Sequence, residues 1–281
     1  MKHIYLNLKR FDICPRYGGV NRLAPAAEWG RTIVERTQEA LRGYRADEAE
    51  FVMYFPEAHI LPAAAAKTPG SPVKLGCQGL YRADTAPGGN FGAFTANRTG
   101  HAMAQLGCES VLIGHCEERA DKLGLLTAEG AESGQAAAAV NRVLNEEIRA
   151  AQAAGLAVLY CIGEKSEEQE HWQQVLGAQL RDGLAGVDKS RVVVAYEPIW
   201  GIGPGKTPAD RPYIEKVARF VKQCTGGLDV VYGGGLKAEN AAMLASIPEI
   251  SGGLIALTRF SGEIGFYPEE YLDSNHTYLG K

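Results

Sequence analysis

The feature that most constrains the fold is an alternation of short apolar runs with longer helical stretches along the chain. Between the apolar runs, stretches rich in Ala, Glu, Leu and Arg repeat their apolar residues with helical spacing, for example at 26–41, 134–154, 167–184, 212–223 and 238–246. The apolar runs have the length of strands and lie at 4–8, 50–55, 73–77, 110–114, 157–162, 191–197, 229–232 and 253–257. This alternation is typical of parallel strands joined by crossover helices. Eight units favour a closed α/β barrel, with an open doubly wound sheet as the alternative.

The length and composition favour one barrel domain spanning 1–281. A barrel of this kind takes ~250 residues, and no change in composition marks a domain boundary in the 281 residues. The 29 Lys and Arg against 33 Asp and Glu give no basic surplus of the kind that nucleic-acid binders show. No apolar run reaches the ~18 residues of a membrane helix, no signal peptide is recognisable, and the six cysteines form no CxxC pair. We therefore expect a cytoplasmic protein without nucleic-acid, membrane or metal partners.

Three long segments carry no obvious helix or strand. They are residues 12–25, residues 81–98 and the tail from residue 261. The first two follow strands 1 and 3, and therefore lie at the C-terminal face of a barrel, where active sites are found. Loops of this length are more often functional than idle.

Polar side chains stand where three of the apolar runs end. Lys9 follows the first run, His115 follows the fourth, and Glu197 closes the sixth. Taken singly, Lys9 is more simply explained as a solvated lysine, and His115 as a surface or hydrogen-bonded histidine. Because the C-terminal ends of all barrel strands meet at one mouth, we expect these three side chains to share one site.

These residue types suit proton transfer beside a carbonyl group. A carboxylate at the end of a buried strand is partly desolvated, which raises its pKa and makes it a suitable base. A histidine at the start of a helix is kept neutral by the helix's positive end and can donate a hydrogen bond to a carbonyl oxygen. A lysine stabilises oxygens that become negative. This chemistry needs no metal or organic cofactor.

Two glycine-rich segments predict where an anion binds. Residues 201–205 lie between Pro198 and residues 206–208, so that stiff ends flank a mobile middle, as in a hinged lid. Residues 233–235 are three successive glycines that open a helix. Backbone N–H groups in such segments bind phosphate, and loops after strands 7 and 8 commonly do so in barrels. A phosphorylated sugar is therefore the expected substrate.

The ordered set of motifs resembles the triosephosphate isomerase family over nearly the whole chain. The matching segments are 7–9, 92–95, 114–117, 195–207 and 232–234. The resemblance implies a single (β/α)8 TIM barrel. It also implies an intramolecular oxidoreductase of glycolysis and gluconeogenesis, which interconverts dihydroxyacetone phosphate and glyceraldehyde 3-phosphate through an enediolate.

The resemblance further implies a role for each matched residue. Glu197 would be the base, and His115 would be the neutral electrophile. Lys9 would neutralise the negative charge of the substrate, and Asn7 would bind near the reacting oxygens. Glycines that bind phosphate are Gly203, Gly234 and Gly235. Thr95 is expected to reach a neighbouring subunit, because the family forms homodimers through that loop.

Several substitutions set the chain apart from the family pattern. Cys116 stands in place of a serine, Glu118 in place of an arginine, and Gly235 in place of a serine that contacts phosphate. Ala256 and Leu257 replace a Gly-Gly pair whose N–H groups hold the phosphate. The loop after the first strand is longer than the family's by about a dozen residues and carries Arg10 and other residues to the active-site face.

These departures share one location, the phosphate end and rim of the pocket, whereas the proton-transfer residues are kept. One hypothesis is that Arg259 or Arg10 binds the anion in place of the family's glycine pair. Three interpretations stay open: an isomerase of triose phosphates, a paralogue that acts on a tetrulose phosphate of the erythrulose-phosphate type, and a non-catalytic barrel that serves as a binding protein.

Overall fold

All eight predicted strands form one closed parallel barrel in a computed structural model of the chain, which describes residues 1–203 and 205–281. The strands are β1 (Lys2–Asn7), β2 (Ala49–Phe55), β3 (Val73–Cys77), β4 (Ser110–Ile113), β5 (Ala157–Ile162), β6 (Val192–Tyr196), β7 (Val230–Tyr232) and β8 (Gly252–Ile255). Each strand pairs with the next, and β8 closes on β1. The predicted TIM barrel is confirmed, and the open sheet is excluded.

The α-helices lie between the strands along the chain, except for the last, which follows β8. In the described residues they are α1 (Ala26–Leu41), α2 (Ile60–Ala66), α3 (Gly100–Gln105), α4 (Cys116–Ala128), α5 (Ser133–Ala153), α6 (Trp172–Gly183), α7 (Arg211–Thr225), α8 (Ala238–Ala245) and α9 (Pro268–Leu279). The prediction is accurate where the apolar periodicity is strong, as in α1. The predicted helix 167–184 is wrong in its first turns, because Ser166–His171 forms a 3-10 helix before α6.

Helix α9 lies in the tail that was expected to carry no element, so that expectation is wrong. Pro268 suits the first turn, since its ring presets φ and needs no N–H donor there. The helix interior contains Ser, Asn, His and Thr, which are weak helix formers and obscure the periodicity. Packing stabilises the helix instead: it lies against α1 and α8 and buries Tyr271 and Tyr278.

The strands end where the polar residues of the mouth begin. β1 ends at Asn7, β4 ends one residue before Gly114, and β6 ends one residue before Glu197. Beneath the mouth, the barrel interior is filled by an apolar cluster that includes Leu112 and Leu159. A densely packed interior holds the strand ends in fixed relative positions.

A charged cluster closes the opposite end of the barrel. The Nδ1 atom of His3 lies 2.6 Å from Glu50 Oε1, and its Nε2 atom lies 3.0 Å from Asp229 Oδ2. Lys74 Nζ donates to the other oxygen of Glu50 at 2.9 Å. Burial lowers the pKa of His3, but its hydrogen bonds to Glu50 and Asp229 outweigh burial, and the net pKa is raised. The folded protein therefore favours the imidazolium form of His3.

We expect His3→Gln to lower the free energy of unfolding by about 1–3 kcal/mol in mildly acidic buffer. Because folding raises the pKa of His3, its contribution is complete below the ordinary histidine value of about 6.5 and is lost as the pH rises through the raised value. Urea unfolding of both proteins at about pH 5.5 and about pH 9 measures the difference. An equal difference at both pH values would contradict a charged His3.

Candidate active site

The end of β1 presents Asn7 and Lys9 to the mouth. Lys9 has a φ of 39°, in the left-handed region, and its N–H donates to Asn7 Oδ1 at 3.1 Å. A non-glycine residue keeps this conformation only where its surroundings hold it. Gln78 does so, because its Nε2 donates to the carbonyl oxygens of Lys9 and Tyr54, each at 3.1 Å. The Lys9 ammonium lies 2.7 Å from Glu117 Oε1.

His115 caps the N-terminus of α4, which fixes the orientation of its ring. Its Nδ1 accepts the N–H of Glu117 at 3.3 Å, so the neutral ring carries its proton on Nε2. That Nε2 lies 3.1 Å from Glu197 Oε1. The second carboxylate oxygen of Glu197 accepts the N–H of Cys116 at 3.0 Å. The base and the electrophile predicted from the sequence therefore meet at the start of α4.

The carboxylate of Glu197 is almost sealed from solvent, with 2% of the residue exposed. Burial raises its pKa, and the positive charge of Lys9 and the polarity of His115 oppose this only in part. Gly233 makes room for the side chain: a Cβ at that position would lie 2.8 Å from the Glu197 Cγ. A desolvated carboxylate of raised pKa is suited to accept a proton from carbon.

The substituted residue Glu118 supports the turn that precedes His115. Its Oε2 accepts the N–H of Gly114 at 2.6 Å. The buried guanidinium of Arg119 donates to the carbonyl oxygens of Gly114, at 2.8 Å, and Cys161, at 2.9 Å. The N–H and the carbonyl oxygen of Gly114 are therefore both hydrogen-bonded. The substituted Glu118 thus stabilises the turn that positions His115.

The first residues of the lid are tied to a buried carboxylate that the sequence interpretation missed. Glu164 follows β5 and is fully buried. Its Oε1 accepts hydrogen bonds from Tyr196 Oη at 2.8 Å, from Trp200 Nε1 at 2.8 Å and from Tyr213 Oη at 3.1 Å. Trp200 belongs to the start of the lid. The pattern that would have identified Glu164 resembles the one that identified the base: a carboxylate two residues after an apolar strand.

We expect Glu164→Gln to lower kcat/KM by roughly tenfold, because an amide oxygen is a weaker acceptor for the three donors that hold the lid's first turn. Glu167→Gln is the matched control, since Glu167 is exposed in the same loop. Steady-state kinetics of both variants measure the effect. Equal kinetics for the two variants would show that the lid does not depend on this anchor.

The glycines predicted to bind phosphate lie in the loops after β6 and β7. Gly203 has a φ of 114° and Gly235 a φ of 98°, conformations that favour glycine. At Gly234, a Cβ would lie 2.3 Å from Tyr232 Oη, so close approach also requires glycine there. Residue 204 of the lid lies outside the described residues.

Comparison with known proteins agrees with this geometry. The family model described as triosephosphate isomerase matches residues 27–263. The chain belongs to the triosephosphate isomerase family. Members of this family are isomerases, that is, intramolecular oxidoreductases.

Individual relatives give the extent of the similarity. A triosephosphate isomerase of Rhodopirellula baltica is 32% identical over 218 residues, which cover 73% of this chain and 77% of the relative. One from Pelodictyon phaeoclathratiforme is 37% identical over 178 residues, but the match spans only 64% of that relative's length. The crystal structure of triosephosphate isomerase from Bartonella henselae superposes with a TM-score of 0.71 at 21% identity, covering 99% of this chain and 98% of that one. That structure shows the shared fold.

Both arginines predicted to replace the family's phosphate ligands are engaged with carboxylates. Arg10 lies on the rim, with its Nη2 2.7 Å from Asp12 Oδ2. Arg259, in the loop after β8, donates from Nε to Glu270 Oε1 of α9 at 2.8 Å. Its guanidinium also lies 3.8 Å from the centroid of the Tyr267 ring. The structure therefore gives both arginines a partner before any anion binds.

A cavity of about 480 Å³ opens beside the catalytic residues predicted by the family resemblance. One wall contains Asn7, Lys9 and His115. The other wall is the lengthened loop after β1, including Phe11 and Tyr17. The insertion thus enlarges the rim on the Lys9 side of the mouth.

The lengthened loop is held by specific contacts. Asn21 Nδ2 donates to the carbonyl oxygen of Asp12 at 3.0 Å, and the Asp12 carboxylate lies 3.2 Å from His59 Nε2. Arg22 Nη1 donates to the carbonyl oxygen of Ile264 at 3.2 Å. The lengthened first loop and the C-terminal tail from residue 261 therefore contact each other.

Thr95 lies in the loop 81–98. The N–H of Tyr81 donates to the carbonyl oxygen of Arg98 at 2.7 Å, which ties the two ends of the loop together. Thr95 is exposed, and Phe91 nearby is 89% exposed. An exposed aromatic side chain on a long loop is suited to contact another molecule.

One group of metal-ligand type occurs among residues 1–203 and 205–281. A His115 nitrogen, the Cys116 sulfur and a Glu197 oxygen lie within 4.8 Å of one another. Burial, reinforced by the charge of Glu197, raises the pKa of the Cys116 thiol to about 12. Since metals bind the thiolate, this group would bind one only by displacing a tightly held proton. In the same described ranges, no helix has the length and apolar character of a membrane span.

Proposed function

We propose that the chain interconverts dihydroxyacetone phosphate and glyceraldehyde 3-phosphate. The observation that carries this proposal is the buried carboxylate of Glu197, held 3.1 Å from His115 Nε2 at a mouth that also contains Lys9. A base, a neutral hydrogen-bond donor and a cation are the groups that proton transfer through an enediolate requires.

In the proposed reaction, Glu197 removes a proton from the carbon next to the substrate carbonyl. The electron pair of the broken C–H bond forms the C=C bond of the enediolate, and the carbonyl oxygen gains the negative charge. His115 Nε2–H and the Lys9 ammonium stabilise that oxygen. The proton of the hydroxyl group on the first carbon moves to this negative oxygen, which leaves the negative charge on the first carbon's oxygen. Protonated Glu197 then returns its proton to the neighbouring carbon, where the C=C electron pair forms the new C–H bond as the first carbon's oxygen forms the new C=O bond. To do so, its carboxylate leaves the N–H of Cys116 and turns toward the substrate, which the small Gly233 permits.

A second candidate substrate is a tetrulose phosphate, which the same residues would isomerise. The observation that favours it is the altered phosphate end, where the Ala256–Leu257 pair follows β8 in place of two glycines. A bulkier side chain at Leu257 would displace the phosphate outward and leave room for one more carbon. Coupled assays with triose and tetrulose phosphates distinguish the two substrates. Turnover of neither, at high enzyme concentration, would favour a non-catalytic binding protein.

We further propose that the enzyme is a cytoplasmic homodimer of sugar-phosphate metabolism, assembled through the loop 81–98. The support is the exposed tip of that loop, with Phe91 and Thr95, and the cavity beside Lys9 that a partner's loop would enter. The first loop supplies apolar wall residues such as Phe11 for this contact.

We expect Phe91→Asp to convert the dimer to monomer and to lower kcat by at least roughly tenfold, since the partner's loop would no longer cover the site. Leu125→Asp is the control, because Leu125 is an exposed apolar residue on α4. Sedimentation equilibrium measures the assembly. A monomeric wild-type protein with full activity would contradict the proposal.

A further inference from the structure

Lys237 lies where the loops after β6, β7 and β8 meet. It directly precedes α8, and its Nζ is 3.6 Å from the centroid of the Phe260 ring in the loop after β8. It borders a cavity of about 320 Å³ together with Ala209, which follows the lid, Tyr232, from the end of β7, and Glu239 and Asn240 of α8. Phosphate groups commonly bind at this part of a barrel.

The charge of Lys237 is compensated differently from that of other cations of the mouth. Three of those cations pair with carboxylates: Lys9, Arg10 and Arg259. Over the ranges that the structure covers, no carboxylate oxygen lies within 4.0 Å of Lys237 Nζ. The Phe260 ring face is its contact instead, and a ring face attracts a cation less strongly than a phosphate dianion does.

The Lys237 side chain lies against the glycine at position 235. The Cε of Lys237 lies 3.6 Å from the point where a Cβ of residue 235 would be. A serine, as in the family pattern, would place a hydroxyl beside that stem. The Lys237 stem therefore lies beside the glycine-rich loop, whose N–H groups can bind an anion.

We propose that Lys237 binds the phosphate group of the substrate, a role that the family assigns to a serine at position 235 and to two glycines at positions 256 and 257. On binding, Nζ leaves the Phe260 ring and donates to a phosphate oxygen, while the aliphatic stem stays against the loop after β7. The inference rests on the proposed function, because it requires a phosphorylated substrate. Phe260 holds the ammonium near this position when no anion is bound.

The test compares Lys237→Met with Lys281→Met, since each removes an ammonium that lies against an aromatic ring. Lys281 Nζ is 4.4 Å from the centroid of the Tyr44 ring, far from the mouth. The probe is inorganic phosphate, with its Kd measured by titration calorimetry at low ionic strength. We expect Lys237→Met to raise this Kd, and the KM for dihydroxyacetone phosphate, by roughly 10- to 100-fold with kcat changed less than about threefold. Lys281→Met should change neither.

A readout without phosphate separates anion binding from a structural role. Isomerisation of glyceraldehyde, which lacks the phosphate, should proceed equally in wild type and Lys237→Met. An equal loss with both substrates would overturn the inference, as would an unchanged Kd for phosphate in Lys237→Met or no phosphate binding by the wild type. A loss confined to Arg259→Met would assign the contact to Arg259 instead. Phosphate binding that depends on Lys237, without turnover of any sugar phosphate, would support this site while contradicting the proposed function.

Discussion

The Glu197→Gln enzyme is expected to lose roughly 10²–10⁴-fold in kcat, with KM changed by less than about threefold. Glutamine fills the same space and can keep the hydrogen bond from the N–H of Cys116, so the site should stay folded. It cannot accept a proton from carbon. Steady-state assays with dihydroxyacetone phosphate measure the loss.

Two controls make this result specific to the base. Glu197→Asp keeps the carboxylate but withdraws it by about one bond length, and should show an intermediate loss. Glu167→Gln, at an exposed carboxylate, should leave kcat unchanged. A loss of only a few-fold in Glu197→Gln would mean that another group moves the proton.

The burial of Glu197 also sets the pH dependence of the wild-type enzyme. Its pKa is raised above the ordinary glutamate value, and only the deprotonated form accepts the proton. Activity is therefore present at pH values above the raised pKa and falls as the pH decreases through it. A kcat/KM profile whose acid limb lies at or below the ordinary value of about 4.3 would contradict this assignment.

The second large effect is expected at His115. We expect His115→Gln to lower kcat by roughly 10²–10³-fold, because one donor to the developing oxyanion is displaced. The ring is held at the α4 N-terminus through Nδ1, and an amide does not reproduce that geometry. His101→Gln is the control, since His101 is exposed on α3. If both variants retained wild-type kcat, His115 would have no part in the chemistry.

The convergence of Lys9, His115 and Glu197 was predictable because strand ends in a parallel barrel have no freedom to lie elsewhere. Apolar runs with β-branched residues mark the strands, and the residue after each run is therefore placed at the mouth. On the same grounds, Gln78, directly after β3, and Glu164, two residues after β5, could have been identified. Their hydrogen-bond partners, such as the carbonyl oxygen of Lys9 and the indole of Trp200, are set by backbone geometry rather than by any sequence pattern.

The surroundings of Arg259 could not be predicted from the sequence. Its partner Glu270 lies on α9, a helix whose weak helix formers conceal it. Without that helix, Arg259 looks like a free cation beside the phosphate end. The contact between Lys237 and Phe260 could not be predicted from the sequence either, because it joins two loops whose conformations depend on tertiary packing.

In the proposed reaction, a buried carboxylate moves a proton between adjacent carbons of a sugar phosphate. Following dihydroxyacetone phosphate in D2O by proton NMR, with the wild-type enzyme, tests it most directly. We expect glyceraldehyde 3-phosphate that carries on C2 the transferred substrate proton, or deuterium where the carboxyl proton of Glu197 exchanges with solvent first, formed at a rate that Glu197→Gln lowers by roughly 10²–10⁴-fold. Isomerisation at the same rate in Glu197→Gln would contradict this mechanism.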